Sequence, residues 1–257
     1  MRGRLGDGAP GRDALRGLVN AVLLAAVLSW RVLQPGVEYA TAGSLHVVRI
    51  DPAVARVTAA LSSASGLPSQ TAAAWCHSSR LAVATNLGMF NADGVTHTGY
   101  LRHGKHVNSA RWNDYRSVVA LRPGAAHWLD IDEGTPTLDT YDLVVQNLRL
   151  IAGGRRNVWS QSPKRWSEAA LAIDGNGRLL ILFSRAPYSM RDFNALLLSL
   201  PLDIQQAMHL EGGPEASLSI HAPGLDLDLC GSYETGFMEN DGNKVQWAIP
   251  NVLGVAR

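Results

Sequence analysis

Two carboxylates and two glycines stand together in Glu211-Gly212-Gly213-Pro214-Glu215. A carboxyl fixed at a sharp turn can give or take a proton. A second one nearby can activate water or attack an electrophilic carbon. Gly212 and Gly213 have no Cβ, so the backbone can turn tightly there and a ligand can come close to main-chain N–H groups. Glu211 is read as the acid or base and Glu215 as the second carboxylate. On a simple strand, four positions apart, they would share a face. A plain turn accounts for Gly-Gly-Pro equally well, and a salt-bridged turn residue accounts for Glu215.

Other segments offer binding chemistry. Asn86-Leu87-Gly88-Met89-Phe90-Asn91-Ala92-Asp93-Gly94 follows a short apolar run, a common setting for a binding loop. Asn86 and Gln146 carry amides that can bond sugar hydroxyls in either direction. Gly88 allows close backbone approach. Asp93 reads first as a turn residue, with the same cleft as its second reading. Arg149 and Arg185 each follow a strand and can fork onto phosphate oxygens, although ion pairing is the commoner fate of an arginine. His97, His103 and His106 match no zinc spacing, so they read as loop-surface residues, and neither metal nor cofactor is expected.

These residues need a rigid frame. Residues 45–50 read as a strand closed by Asp51-Pro52, with residues 54–61 as its partner. Ser69 is placed to cap a short helix running to Trp75. Residues 81–85, 115–121, 127–131 and 143–146 read as further strands, with a hairpin over 99–104 and a turn at Gly153-Gly154. Gly175-Asn176-Gly177 between two apolar runs is the clearest hairpin signal. Ser189 with Asp192 resembles a capping box, and Pro201 ends the helix behind it, whose apolar face holds Phe193, Leu196, Leu197 and Leu200. Residues 204–210 lead into Glu211. Residues 225–229 alternate, with Asp226 and Asp228 toward solvent, and residues 247–255 form the last strand. Many strands, few helices and no regular βα alternation predict an α+β fold, a single domain of mixed, mainly antiparallel β-sheets with a few helices.

The 257 residues are 46% hydrophobic, enough for a sizeable core. A net charge of +1 gives no electrostatic case for nucleic acid as a partner. Arg2, Arg4, Arg12 and Arg16 precede an apolar run over 18–28, shorter than the roughly 20 residues a membrane span needs. Basic then apolar is the order of an export signal. Residues 1–29 are therefore expected to be a signal peptide or N-terminal membrane anchor, and 30–257 the folded domain. The expected location is periplasmic or secreted, with inner-membrane association if the leader is uncleaved. Cys76 and Cys230 can form one disulfide after export or remain two thiols.

Four segments, taken in order, resemble the phosphodiester glycosidase family. Asn86-Leu87-Gly88-Met89-Phe90 is similar to its Asn-x-Gly-x-Phe loop, and Gly99 through Gly104 to its glycine-bounded hairpin. Gln146 through Gly153 is similar to its strand ending in Gln before a glycine turn, and Leu210-Glu211-Gly212-Gly213 to its Leu-Asp-Gly-Gly. The similarity runs from about Trp30 to the C-terminus. Glu211 stands where the family has Asp, Pro214-Glu215 replaces a glycine- or serine-rich continuation, and Glu168 stands where many members have arginine, with Arg165 nearby. The pattern is that of a divergent bacterial branch. The resemblance implies an exported hydrolase that cleaves a sugar-1-phosphodiester, with a glycosyl phosphodiester or polysaccharide as its partner. Glu211 and Glu215 would be catalytic, with Asn86, Gly88, Asp93, Gln146, Arg149, Arg185, Gly212 and Gly213 around the substrate. The alternative on the same fold is a catalytically silent carbohydrate-binding protein of the cell envelope. This set of site residues requires Asn86, Gln146, Arg149 and Glu211 to line one cleft, and phosphate binding requires a cation beside Glu211.

Overall fold

The computed structural model describes residues 28–133 and 138–257. Its first strands are β1 (Arg31–Gln34), β2 (Val37–Ala42), β3 (Leu45–Ile50) and β4 (Val57–Leu61), followed by helices α1 (Ser62–Ser65) and α2 (Ala72–Ser78). Then come β5 (Leu81–Asn86), β6 (Leu101–His103), β7 (His106–Ser109), β8 (Ser117–Arg122) and β9 (Ala125–Asp130). β10 (Leu143–Asn147), β11 (Arg149–Ala152) and β12 (Arg156–Asn157) precede a long hairpin, β13 (Trp166–Asp174) and β14 (Leu179–Tyr188). Helix α3 (Met190–Ser199) leads to β15 (Ile204–Gly212), and β16 (Ser217–Ala222), β17 (Leu225–Cys230) and β18 (Asn251–Ala256) complete the set.

The strands form an eight-stranded sheet, β1-β2-β3-β14-β13-β15-β11-β12, and two five-stranded sheets, β7-β6-β10-β8-β9 and β17-β16-β5-β18-β4. Neighbours in the large sheet run antiparallel, as do those in the smaller sheets. The expectation of mainly antiparallel sheets with a few helices therefore stands.

Both faces of the large sheet are buried, which explains near-continuous apolar runs such as Leu179-Leu180-Ile181-Leu182-Phe183. Leu179, Ile181 and Phe183 join one core with Val83, Val119, Val145 and Leu218 of the smaller sheets. Leu180 and Leu182 join a second core under α3, where Phe193 and Leu197 pack. Helix α2 covers the sheet of β5 and β18 with Trp75, whose indole N–H donates to the Ile249 carbonyl at 2.9 Å.

Local chemistry sets the strongest turns. Asp174 accepts the N–H groups of Asn176 and Arg178 through Oδ1, and Gly177 takes a left-handed φ of 77° in the β13–β14 turn. Ser189 caps α3 by accepting from the Asp192 N–H. Three expectations are corrected. Thr71, not Ser69, caps α2, because its hydroxyl faces the Ala74 N–H while Ser69 donates to the Gly94 carbonyl. The partner of β3 is not residues 54–61: a turn at Asp51 breaks the chain direction, and β4 pairs with β18. The last strand begins at Asn251, after Pro250, which has no N–H to donate to a ladder.

The expected leader at residues 1–29 lies outside the described residues except for its last two positions. Among the described residues no helix is long and apolar enough to cross a membrane. Both cysteines are free thiols, with Cys76 buried in α2 and pushed up to about 12, chiefly by burial.

Candidate functional site

Strand β15 carries His209 and Glu211 toward one end of the large sheet. Its register with β13 slips there: Ala170 faces His209 and Ala169 faces Glu211, leaving Leu210 as an extra residue. A bulge of this kind bends a strand and re-aims its side chains. A second slip lies next door, where Trp166 and Glu168 of β13 face Tyr188 and Ser184 of β14. Beyond β15 the chain folds into a short 3-10 turn over Gly213–Glu215. Gly213 has a left-handed φ of 63°, and a Cβ there would run into the Glu234 carboxylate. A Cβ on Gly212 would lie 2.7 Å from Cδ1 of the Trp166 indole. The two glycines thus let the strand end pass between an aromatic ring and an acid.

The turn forms part of a cleft of about 660 Å³. Phe90, Trp159, Trp166 and Met190 supply apolar wall, a surface suited to the hydrophobic face of a sugar ring. Glu211, Glu215, Glu234, His209 and Lys164 supply its ionisable groups. Burial pushes the Glu211 carboxyl up to about 8. The charge of His209 and the Gly212 N–H, which donates to Oε1 at 3.1 Å, oppose that rise, and the charges of Glu215 and Glu168 add to it. Burial also raises Glu215, with Glu234 adding repulsion. Glu211 is consequently a neutral acid at pH 7, able to give a proton.

Behind the floor lies a buried pair. Nδ1 of His209 is 2.6 Å from Oε1 of Glu168, and the Trp166 indole N–H donates to Oε2 at 2.6 Å. Burial raises Glu168 but is countered by His209 and Trp166. Burial of His209 is outweighed by the charge and hydrogen bond of Glu168, so the ring is raised. The Trp166 indole N–H holds Oε2 as an acceptor, and Oε1 and Nδ1 of His209 meet across a single proton.

The expectation that Asn86, Gln146, Arg149 and Glu211 line one cleft is corrected: of the four, Glu211 lines it. Asn86 works from behind, donating to the Glu215 carbonyl at 3.0 Å and accepting from the Ser217 N–H at 2.8 Å, so it fixes the turn that presents Glu215. Gln146 is buried in a backbone cage. Its Oε1 accepts from the N–H groups of Tyr100 and Asn113, and its Nε2 donates to the carbonyls of Asn113 and Tyr115. Arg149 is paired with Asp130 at 3.0 Å and Asp132 at 2.7 Å. Arg185 holds Asp241 and the carbonyls of Cys230 and Asn243. Asp93 closes a turn on the N–H groups of Val95 and Thr96. A Cβ on Gly88 would meet the His97 ring and the Asn147 amide, so this glycine serves packing beneath the loop of Met89 and Phe90. His97 is buried rather than on a loop surface. Its Nε2 lies 2.8 Å from the Gln146 carbonyl, and burial pushes it down to about 4. Among the described residues no three His, Cys, Asp or Glu side chains converge to hold a metal.

Gln146→Ala is expected to cost roughly 2–3 kcal/mol, because buried backbone groups lose their partners. Denaturant unfolding checks this, and KM for any substrate should stay unchanged because Gln146 does not reach the cleft.

The sequence profile of the phosphodiester glycosidase family matches residues 79–256. No curated protein sequence matches the chain. Solved structures share its fold. One is the zebrafish N-acetylglucosamine-1-phosphodiester alpha-N-acetylglucosaminidase catalytic domain, auto-inhibited by its pro-peptide. It is 12% identical with a TM-score of 0.62, and the match covers 90% of this chain and 82% of that one. Another is a hypothetical protein from Synechocystis, 14% identical with a TM-score of 0.59, covering 89% of this chain and 61% of that one.

Proposed function

Since this chain belongs to the phosphodiester glycosidase family, we propose that it is a hydrolase that releases a sugar from a glycosyl phosphodiester in the cleft of Glu211 and Glu215. The observation that carries this reading is the buried Glu211 carboxyl, pushed up to about 8 by that burial and fixed at a glycine turn between aromatic walls. A neutral carboxyl can protonate the bridging oxygen while the bond from the anomeric carbon to that oxygen breaks, so the phosphate leaves as a monoester. Glu215, once ionised, is the group to take a proton from water or to attack the anomeric carbon. Asn86 keeps it in place through the Glu215 carbonyl. Residues 30–257 are proposed to form one exported domain acting in the cell envelope or outside it. The support is the basic and then apolar order of the N-terminal sequence.

The second reading is a carbohydrate-binding protein without turnover. Its support is the cleft lining, which among the described residues holds three glutamates, a lysine and a histidine but no arginine. A substrate panel separates the two. The hydrolase releases sugar from a sugar-1-phosphodiester such as UDP-N-acetylglucosamine and leaves bis(4-nitrophenyl) phosphate intact. Saturable sugar binding with no release from any sugar phosphodiester would establish the binding protein instead.

A further inference from the structure

We infer that His209, oriented by Glu168, is the cation that receives the phosphate group of the substrate. This deepens the sugar-phosphodiester reading and rests on it. A phosphodiester anion entering a cleft lined by three acidic side chains needs a positive group at its floor. The arginines that the sequence offered for this are occupied, Arg149 by two aspartates and Arg185 by Asp241 and main-chain carbonyls. Lys164 sits exposed on the cleft margin, where solvent and salt screen it.

His209 is placed differently. It is 4% exposed yet lines the cleft on the same strand as Glu211. Glu168, 2% exposed, bonds Nδ1 with one oxygen and accepts from the Trp166 indole with the other. An indole N–H only donates, so it fixes Oε2 as an acceptor and turns Oε1 toward the imidazole. Nε2 has no protein partner among the described residues and is not among the sealed-off polar atoms, so it is open to the cleft and donates there when the ring is charged. The charged groups facing the ring are Glu168 on β13, Glu211 on β15, Glu215 on the glycine turn, Glu234 on the loop after β17, and Lys164 at the margin. Glu168 and Glu234 favour the imidazolium, and Glu211 does so once it ionises. The buried acid at position 168 therefore acts through the histidine, and the pair brings a positive N–H to the floor at no net charge. Phosphate held at Nε2 sets the sugar–oxygen bond beside Glu211, two residues along the strand.

The test uses the full chain labelled with 15N-histidine and titrated with inorganic phosphate and with neutral methyl glycoside. At pH 7 the ring nitrogens of His209 should report an imidazolium, and phosphate should move the Nε2 signal saturably. His209→Gln should weaken phosphate binding about tenfold or more while leaving methyl glycoside binding unchanged. Glu168→Gln should lower the pH at which phosphate binding is lost, a change that a merely structural role would not produce. Phosphate that leaves the His209 nitrogens unmoved in the wild type would overturn the inference even if the variants do not fold. So would an unchanged pH limit in folded Glu168→Gln. Sugar release by a protein whose His209 ignores phosphate would sink this inference and spare the hydrolase reading. A phosphate response without any sugar release would do the reverse.

Discussion

Glu211→Gln lowers sugar release from a sugar-1-phosphodiester by about a hundred- to ten-thousand-fold, the usual contribution of a positioned general acid. Gln keeps the size and polarity of the side chain but has no proton to give. The loss should fall on kcat, because the amide can still contact the substrate. A second consequence follows from ionisation. The folded protein keeps the Glu211 proton up to about pH 8, whereas an unfolded chain releases it near the ordinary value of 4.5. Between these values the folded state binds more protons, so stability from this group is fully present below pH 4.5 and is lost as pH rises to 8. Glu211→Gln removes that loss. Its melting temperature should exceed that of the wild type at pH 9 and approach it at pH 4. Calorimetry at the two pH values checks the stability claim, and initial rates check the catalytic one. A wild-type rate in the variant would remove Glu211 from the chemistry.

Glu168→Ala destabilises the protein by about 3–5 kcal/mol, the cost of breaking a buried ion pair from one side. The variant leaves the His209 imidazole without its counter-charge and the Trp166 indole N–H without an acceptor. At roughly 2–4 °C per kcal/mol for a chain of this size, the melting temperature should fall by about 6–20 °C. Glu168→Gln, which retains an acceptor and the volume, should lose less. A fall equivalent to less than about 1 kcal/mol in the alanine variant would show that the pair carries no buried charge.

Local signals in the sequence led to the right elements where the determining residues are close together, although the cap of α2 fell to Thr71 rather than Ser69. Gly175-Asn176-Gly177 placed the β13–β14 hairpin because Asp174 and Gly177 complete the turn within a few positions. Ser189 placed the start of α3 because its bond to Asp192 spans one turn. Pairings across the chain were not legible. β4 joins β18, and nothing near residues 57–61 names that partner. The site divides in the same way. Glu211 and Glu215 stood out because the glycines between them are a local signature. His209, two residues before Glu211, carried a weak signal in its shared strand face. Glu168 was conspicuous only as an acid in place of the family's arginine, since its partner lies 41 residues away. Glu234 sits in a later loop with no motif around it, and its role beside Gly213 emerges only from packing. Arg149 and Arg185 show the opposite error. Their types suited a phosphate, but nearby carboxylates and carbonyls claim them in the fold.

The most direct test of a sugar-phosphodiester hydrolase working through an acid at Glu211 is the fate of oxygen. Hydrolysis of a sugar-1-phosphodiester in 18O-water, followed by mass spectrometry of the phosphorylated product, reports which bond breaks. The account predicts a phosphomonoester free of 18O, because water adds to the anomeric carbon and the bridging oxygen departs with phosphorus. A phosphomonoester carrying 18O would place the attack at phosphorus and contradict it.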